Sequence, residues 1–194
     1  MKQNQNKSPT GDGRNPLARE VLSLKNPRVL TLAALLAAVS LALAFGAKAL
    51  FGTGPIRVTV ENLPIFLGAF LFGPVIGFSI AVGADLLSCL ITGMAPNPII
   101  TAGAAAVGLI SGLIFRLLPE RVSLKLRVVL GVAAGHLIGS MALKSIGLYP
   151  FYGIVVLWRI PLYLAVGAAE ALILILLLEN TAFQNEIRRW GGLS

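Results

Sequence analysis

Apolar runs of bilayer length recur along this chain, parted only by Gly/Pro breaks and short charged stretches. A helix needs about 20 consecutive apolar residues to cross the hydrocarbon core of a membrane. Six runs are candidates: 28–50, 63–72, 75–92, 99–118, 128–146 and 155–178. Of the 194 residues, 56% are apolar and 12% charged, and the mean hydropathy is +0.84. An ordinary soluble domain carries about 25% charged residues. Six helices would take up most of the length, which excludes a large catalytic domain outside the bilayer. The expectation is an all-α integral membrane protein with six transmembrane helices in one bundle spanning 28–180. It would carry a polar, Asn/Gln/Lys-rich, disordered tail at 1–27 and a short tail at 181–194. A cleavable signal peptide would put its apolar core nearer the start, so the first run reads as a retained helix.

The run 63–72 is short for a crossing. Gly73-Pro74 stops it, because proline blocks helix continuation and disfavours helical geometry in the residue before it. Short, Gly/Pro-interrupted segments lie where backbone lines a cavity. Fusion of the second and third runs into one kinked hairpin is the alternative.

The net charge is +8. Cytoplasmic segments attract the Lys/Arg excess, and placing both termini in the cytoplasm accounts for it. Twelve of the 16 basic residues then lie inside: Lys2, Lys7, Arg14, Arg19, Lys25, Arg28, Arg116, Arg121, Lys125, Arg127, Arg188 and Arg189. Only Lys48, Arg57, Lys144 and Arg159 lie outside. Topology explains the basic balance, so the partner is a lipid bilayer, with no nucleic acid. The expected location is the cytoplasmic membrane, multi-pass.

Small residues recur every four positions. The first run holds Ala34, Ala38 and Ala42 beside a second row, Ala33 and Ala37; later runs hold Gly73/Gly77, Gly108/Gly112 and Gly131/Gly135/Gly139. Such stripes let helix backbones approach closely, either within one bundle or against a partner subunit. The first run is the best docking candidate, since its other residues suit lipid.

Ionisable groups at membrane depth are costly and invite a reason. Asp85 shares a helical face with Ser88 and Cys89; it bonds a neighbouring helix, orients a ligand or relays a proton. Glu170 reads as one half of a buried pair with a basic residue. His136, the sole histidine, has no Cys, Asp or Glu at ligand spacing, so it bonds a helix or a ligand rather than a metal. Cys89 is alone, and the stretch GSMALKS lacks the glycine of a phosphate loop. Ser140 and His136 share one helix with no separate nucleophile element. The chain is read as a non-enzyme without cofactor. What remains is an outer cluster: Arg57, Glu61, Asn62, Asn97, Lys144, Tyr149, Tyr152, Trp158 and Arg159. Singly, each could be an interfacial aromatic or a snorkelling base. Together, bases for carboxylates and flat rings for an aromatic plane describe a site for a small anionic, partly aromatic ligand.

The segment PIRVTVENLPIFLGAFLFGPVIGFSIAVGADLLSCLITG resembles the signature region of the substrate-binding S components of energy-coupling factor (ECF) vitamin transporters. The matching features are Arg57, Leu63-Pro64, Gly68, Gly73-Pro74 and the stretch from Gly77 to Asp85. The resemblance implies high-affinity vitamin capture at the outer face. It also implies docking through the first helix (Ala33, Ala34, Ala37, Ala38, Ala42) onto a transmembrane coupling subunit driven by two ATPase subunits. The chain is most similar to folate-type members, although ITGMAPNPII replaces their aromatic loop after the third span. Pantothenate, cobalamin, a riboflavin-like ring and a stand-alone vitamin carrier stay open. The candidate binding set is Arg57, Glu61, Asn62, Asp85, Asn97, His136, Lys144, Tyr152, Trp158 and Arg159. The segment 51–61, hinged at Gly52 and Gly54, would form a lid.

Overall fold

A computed structural model describes residues 26–52, 58 and 60–189, and these fold as helices and the turns between them. Arg57, most of the expected lid and the N-terminal tail lie outside the described residues. The elements are α1 (Pro27–Phe51), α2 (Leu63–Phe72), α3 (Pro74–Thr92), α4 (Pro98–Leu117) and α5 (Leu124–Gly135). A π-helical stretch (His136–Leu143) runs on into α6 (Lys144–Tyr152). A 3₁₀ turn (Gly153–Trp158), α7 (Arg159–Glu179) and α8 (Thr181–Arg189) complete the order.

Sequence chemistry sets the helix starts. Asn26, Asn97 and Asn180 each precede a helix, and each side chain accepts from a backbone N–H of the first turn, at 3.1, 2.9 and 2.9 Å. Proline stands in the first turn of α1, α2, α3 and α4, where its missing N–H costs nothing.

Among the described residues, four stretches are long and apolar enough to cross a membrane: Pro27–Phe51, Pro74–Thr92, Pro98–Leu117 and Leu124–Glu179. The last has 56 residues and would be about 84 Å long if straight, nearly three bilayer cores. It doubles back at Gly153, whose φ of +60° is a conformation glycine adopts freely. His136 and Glu170, equidistant in sequence from that glycine, are hydrogen-bonded across the two arms. The fifth and sixth expected runs are these arms, with the turn moved to 153–158.

The second expected run does not reach bilayer length. α2 has ten residues, about 15 Å, and everything from Pro64 to Phe72 is buried. A helix apolar all round belongs in an interior. Gly73, at φ +108°, reverses the chain in one residue, so α2 lies back along α3. A Cβ on Gly77 would stand 2.5 Å from that of Ala69. The hairpin alternative, not two independent runs, describes this region. The C-terminal stretch likewise differs from a plain tail, because α8 packs Phe183 and Ile187 against the core.

Glycine crossings bind the bundle. A Cβ on Gly108 would lie 2.2 Å from the Gly77 carbonyl oxygen, and one on Gly112 would lie 2.8 Å from Pro74 Cα. Gly131, Gly135, Gly139 and Gly147 meet α4 in the same way, near Ser111, Val107, Gly103 and Ile100. A four-residue step overshoots a 3.6-residue turn by about 40°, so a long stripe should drift off its partner. The π-helical stretch, with its wider turn, takes up that drift and keeps the later glycines on α4. At the end of the bundle holding Arg116 and Arg127, these side chains satisfy helix C-terminal carbonyls. Arg127 donates to Phe115 O at 3.1 and 2.8 Å, and Arg116 to Phe72 O at 3.3 Å.

Candidate functional site

At the opposite end the helices part around a cavity of about 170 Å³. α1 contributes Ser40 and Lys48, and the start of α2 contributes Glu61 and Asn62. α3 adds Asp85 and Ser88, α4 adds Ile100 and Ala104, α6 adds Lys144 and Tyr152, and α7 adds Arg159 and Tyr163. Three cations and two carboxylates line the space, with Ser40, Asn62, Ser88 and two tyrosines among apolar side chains.

Local contacts hold this frame. Ser40 Oγ donates to Glu61 O at 2.6 Å, tying the entry of α2 to α1. Asn97 caps α4 and donates to Gly147 O at 3.4 Å, tying α4 to α6. Gly103 lets the two helices touch where Lys144 crosses, since a Cβ there would meet Lys144 Cγ at 2.7 Å. Lys144 Nζ lies 3.8 Å from Glu61 Oε1, both nearly buried. Thr101 Oγ1 donates to Asp85 Oδ2 at 2.6 Å, and Lys48 Nζ makes a long 3.5 Å bond to Ser88 Oγ. Arg159 donates to Tyr163 Oη at 3.1 Å. Asn62 differs from all of these: it is fully buried, and neither its Oδ1 nor its Nδ2 has a hydrogen-bond partner. Buried amides are almost always satisfied.

Of the residues singled out from the sequence, Glu61, Asn62, Asp85, Lys144, Tyr152 and Arg159 are brought together here. Asn97 stands beside the cavity as a cap rather than in its lining. Trp158 is 68% exposed on the bundle surface and lines nothing. Arg57 lies outside the described residues. Sequence reasoning left out Ser40, Lys48, Ser88 and Tyr163. Lys48 had been counted among the outer bases, and Ser40 is the polar residue on the face of α1 that also buries Ala33 and Ala37; both signals were there to use.

His136 sits deeper, outside the cavity lining. Its Nε2 lies 2.6 Å from Glu170 Oε2 and its Nδ1 lies 3.2 Å from Ser140 Oγ, with Phe66 and Tyr163 against the ring. Glu170 therefore pairs with the histidine. The order serine, histidine, carboxylate is that of a hydrolytic triad. Yet none of the three lines the cavity, and His136 and Ser140 stand on one helical stretch with no separate nucleophile element. The cluster joins the two arms of the 56-residue hairpin. Among the described residues, no group of three His, Cys, Asp or Glu is placed to hold a metal.

The two alanine rows of α1 part company. Ala33 and Ala37 are buried in the bundle, whereas Ala34, Ala38 and Ala42 are exposed. Gly46, also exposed, continues the outward row.

A family model described as "ECF transporter, substrate-specific component" matches residues 28–182. No curated protein and no solved structure matches the chain.

Proposed function

The chain belongs to the ECF transporter substrate-specific component family, and on that premise we propose that it captures a carboxylate-bearing vitamin, folate first among the candidates, in the cavity bounded by α1–α4, α6 and α7. Membership makes it the substrate-binding membrane subunit of an ATP-driven importer, a transporter subunit and not an enzyme. Its partners are those of the family, a transmembrane coupling subunit and ATPase subunits.

The observation carrying the ligand reading is the cavity's chemistry: a buried amide without partners beside Lys48, Lys144 and Arg159. Cations exceed carboxylates there by one, which favours an anion, and a ligand supplies the bonds Asn62 lacks. Arg and Lys suit carboxylates; Tyr152 and Tyr163 offer ring faces. The outer position of the cavity follows from the charge-based topology, with Arg116 and Arg127 at the cytoplasmic end and both termini inside. Arg57, in the segment that leads into Glu61, is a further candidate contact. The outward row Ala34, Ala38 and Ala42 is the docking face toward the coupling subunit, because the row Ala33 and Ala37 is occupied within the bundle.

The volume favours a second reading. Drug-sized ligands fill about 300–1,000 Å³, and 170 Å³ holds either one end of folate or all of a smaller acid such as pantothenate. Thermal unfolding of the purified protein with folic acid, pantothenate, riboflavin and cobalamin separates them. Ligand at 100 times its Kd stabilises by about 2.7 kcal/mol. A shift with folic acid alone supports the first reading, and one with pantothenate alone the second. A flat panel removes the vitamin-binding proposal.

A further inference from the structure

Four asparagines precede helices among the described residues, and one does not behave like the others. Asn26, Asn97 and Asn180 turn their side-chain oxygens onto first-turn amides. Asn62 precedes α2 and makes no such bond. Its backbone is already helical there, at φ −83° and ψ −15°, and its amide is sealed among the cavity-lining residues with both polar atoms unsatisfied. A solvated cap would be the ordinary fate of this residue type. Here the chain keeps a donor and an acceptor, side by side and desolvated, at the wall of a ligand cavity.

We infer that Asn62 reads the edge of a heterocycle that presents an adjacent donor and acceptor, a ring lactam or an amino-azine, while Lys48 and Lys144 hold the ligand's carboxylate. The inference rests on the vitamin-binding reading above and narrows its substrate class. A planar carboxamide forms two parallel hydrogen bonds with such an edge, as asparagine does with adenine. An open-chain secondary amide cannot offer the pair, because its trans geometry places N–H and C=O on opposite sides. Folic acid carries both the required edge and carboxylates; riboflavin has the edge without a carboxylate, and pantothenate a carboxylate without the edge. Binding of riboflavin alone therefore counts against the inference. A cavity of about 170 Å³ then takes the ring, with the anionic tail beside Lys48 and Lys144.

The residue is a specificity determinant, so its test is a change of preference. The probes are folic acid, aminopterin (a lactam oxygen replaced by an amino group), riboflavin and pantothenate, titrated against the wild-type chain, Asn62→Leu and Asn62→Asp in detergent. The amide can flip to face a lactam or an amino-azine, so the wild type should bind folic acid and aminopterin with similar Kd. Asn62→Leu should weaken both by about tenfold or more. Asn62→Asp presents acceptors only: it opposes the ring-nitrogen acceptor of aminopterin but can meet the adjacent N–H and amino donors of folic acid, so it should weaken aminopterin more than folic acid and shift the preference. Size exclusion and the ligand-free melting point establish that each variant is folded. Asn62→Ser, shorter and polar, replaces the leucine variant if that one does not fold. Unchanged folic acid affinity in folded Asn62→Leu or Asn62→Ser overturns the inference and leaves vitamin binding intact. Wild-type binding of pantothenate alone also overturns it. Binding of none of the four removes the underlying reading as well.

Discussion

Two stripes of small residues run through this molecule at the same four-residue spacing and meet different ends. The glycines of α3, α4 and the α5–α6 stretch face one another inside the bundle, where backbones approach to distances that exclude a Cβ. The alanines at 34, 38 and 42 of α1 face outward, and Gly46, which continues their row, has nothing within 4 Å of where a Cβ would stand. Spacing alone marks a surface made for close approach. What differs is whether the partner lies within the chain, and only the packing tells. A stripe already closed inside is a stability element; the open one is the row proposed above as the docking face.

Substitutions can break this contrast or sharpen it. The largest effect belongs to Gly108→Val, whose Cβ meets a backbone oxygen that has no freedom to move. It should cost more than about 3 kcal/mol and leave no folded protein in size exclusion. Next, Ala37→Leu thrusts three carbons into the bundle and should lower stability by about 1–3 kcal/mol, read as a lower melting temperature. One residue along, Ala38→Leu should alter stability and vitamin affinity by less than about 0.5 kcal/mol, yet reduce uptake by the reconstituted transporter about tenfold or more. Equal stability losses at 37 and 38 would erase the distinction between the rows. The smallest change is Gly46→Ala, which relieves a helix-interior glycine and should raise stability by about 0.5 kcal/mol. A clear loss of melting temperature there would place a contact where the bundle has none.

Much of this architecture was legible beforehand, for reasons that also explain the gaps. Apolar runs and their Pro/Gly punctuation mark helices directly, because the bilayer demands length and closed backbone hydrogen bonding. The shortness of 63–72 and the break at Gly73-Pro74 were visible, but the reversal depends on one dihedral angle that no composition reveals. Six of the ten proposed ligand contacts line one cavity because bases and amides near the outer ends of helices converge when the helices bundle. Trp158 lies exposed on the bundle surface instead, and an interfacial tryptophan and a site tryptophan look alike in sequence. The His136–Glu170 bond spans 34 positions and appears only once the hairpin closes. Nor does any residue pattern announce the π-helical stretch.

The ten-residue helix α2 also bears on how the protein is made. Insertion machinery recognises a segment by length and hydropathy, and α2 offers half the length a stop in the bilayer requires. Its link to α3 is a single residue, the shortest loop to close and so the least costly in chain entropy. The two should therefore leave the ribosome's channel as one unit, with α3 supplying the crossing and α2 folding down beside it. A nascent chain ending at Phe72 would then fail to integrate its last segment, whereas one ending beyond Thr92 would integrate both. Assembly of the ligand-binding end would begin with that paired insertion, before α4 arrives to seal it.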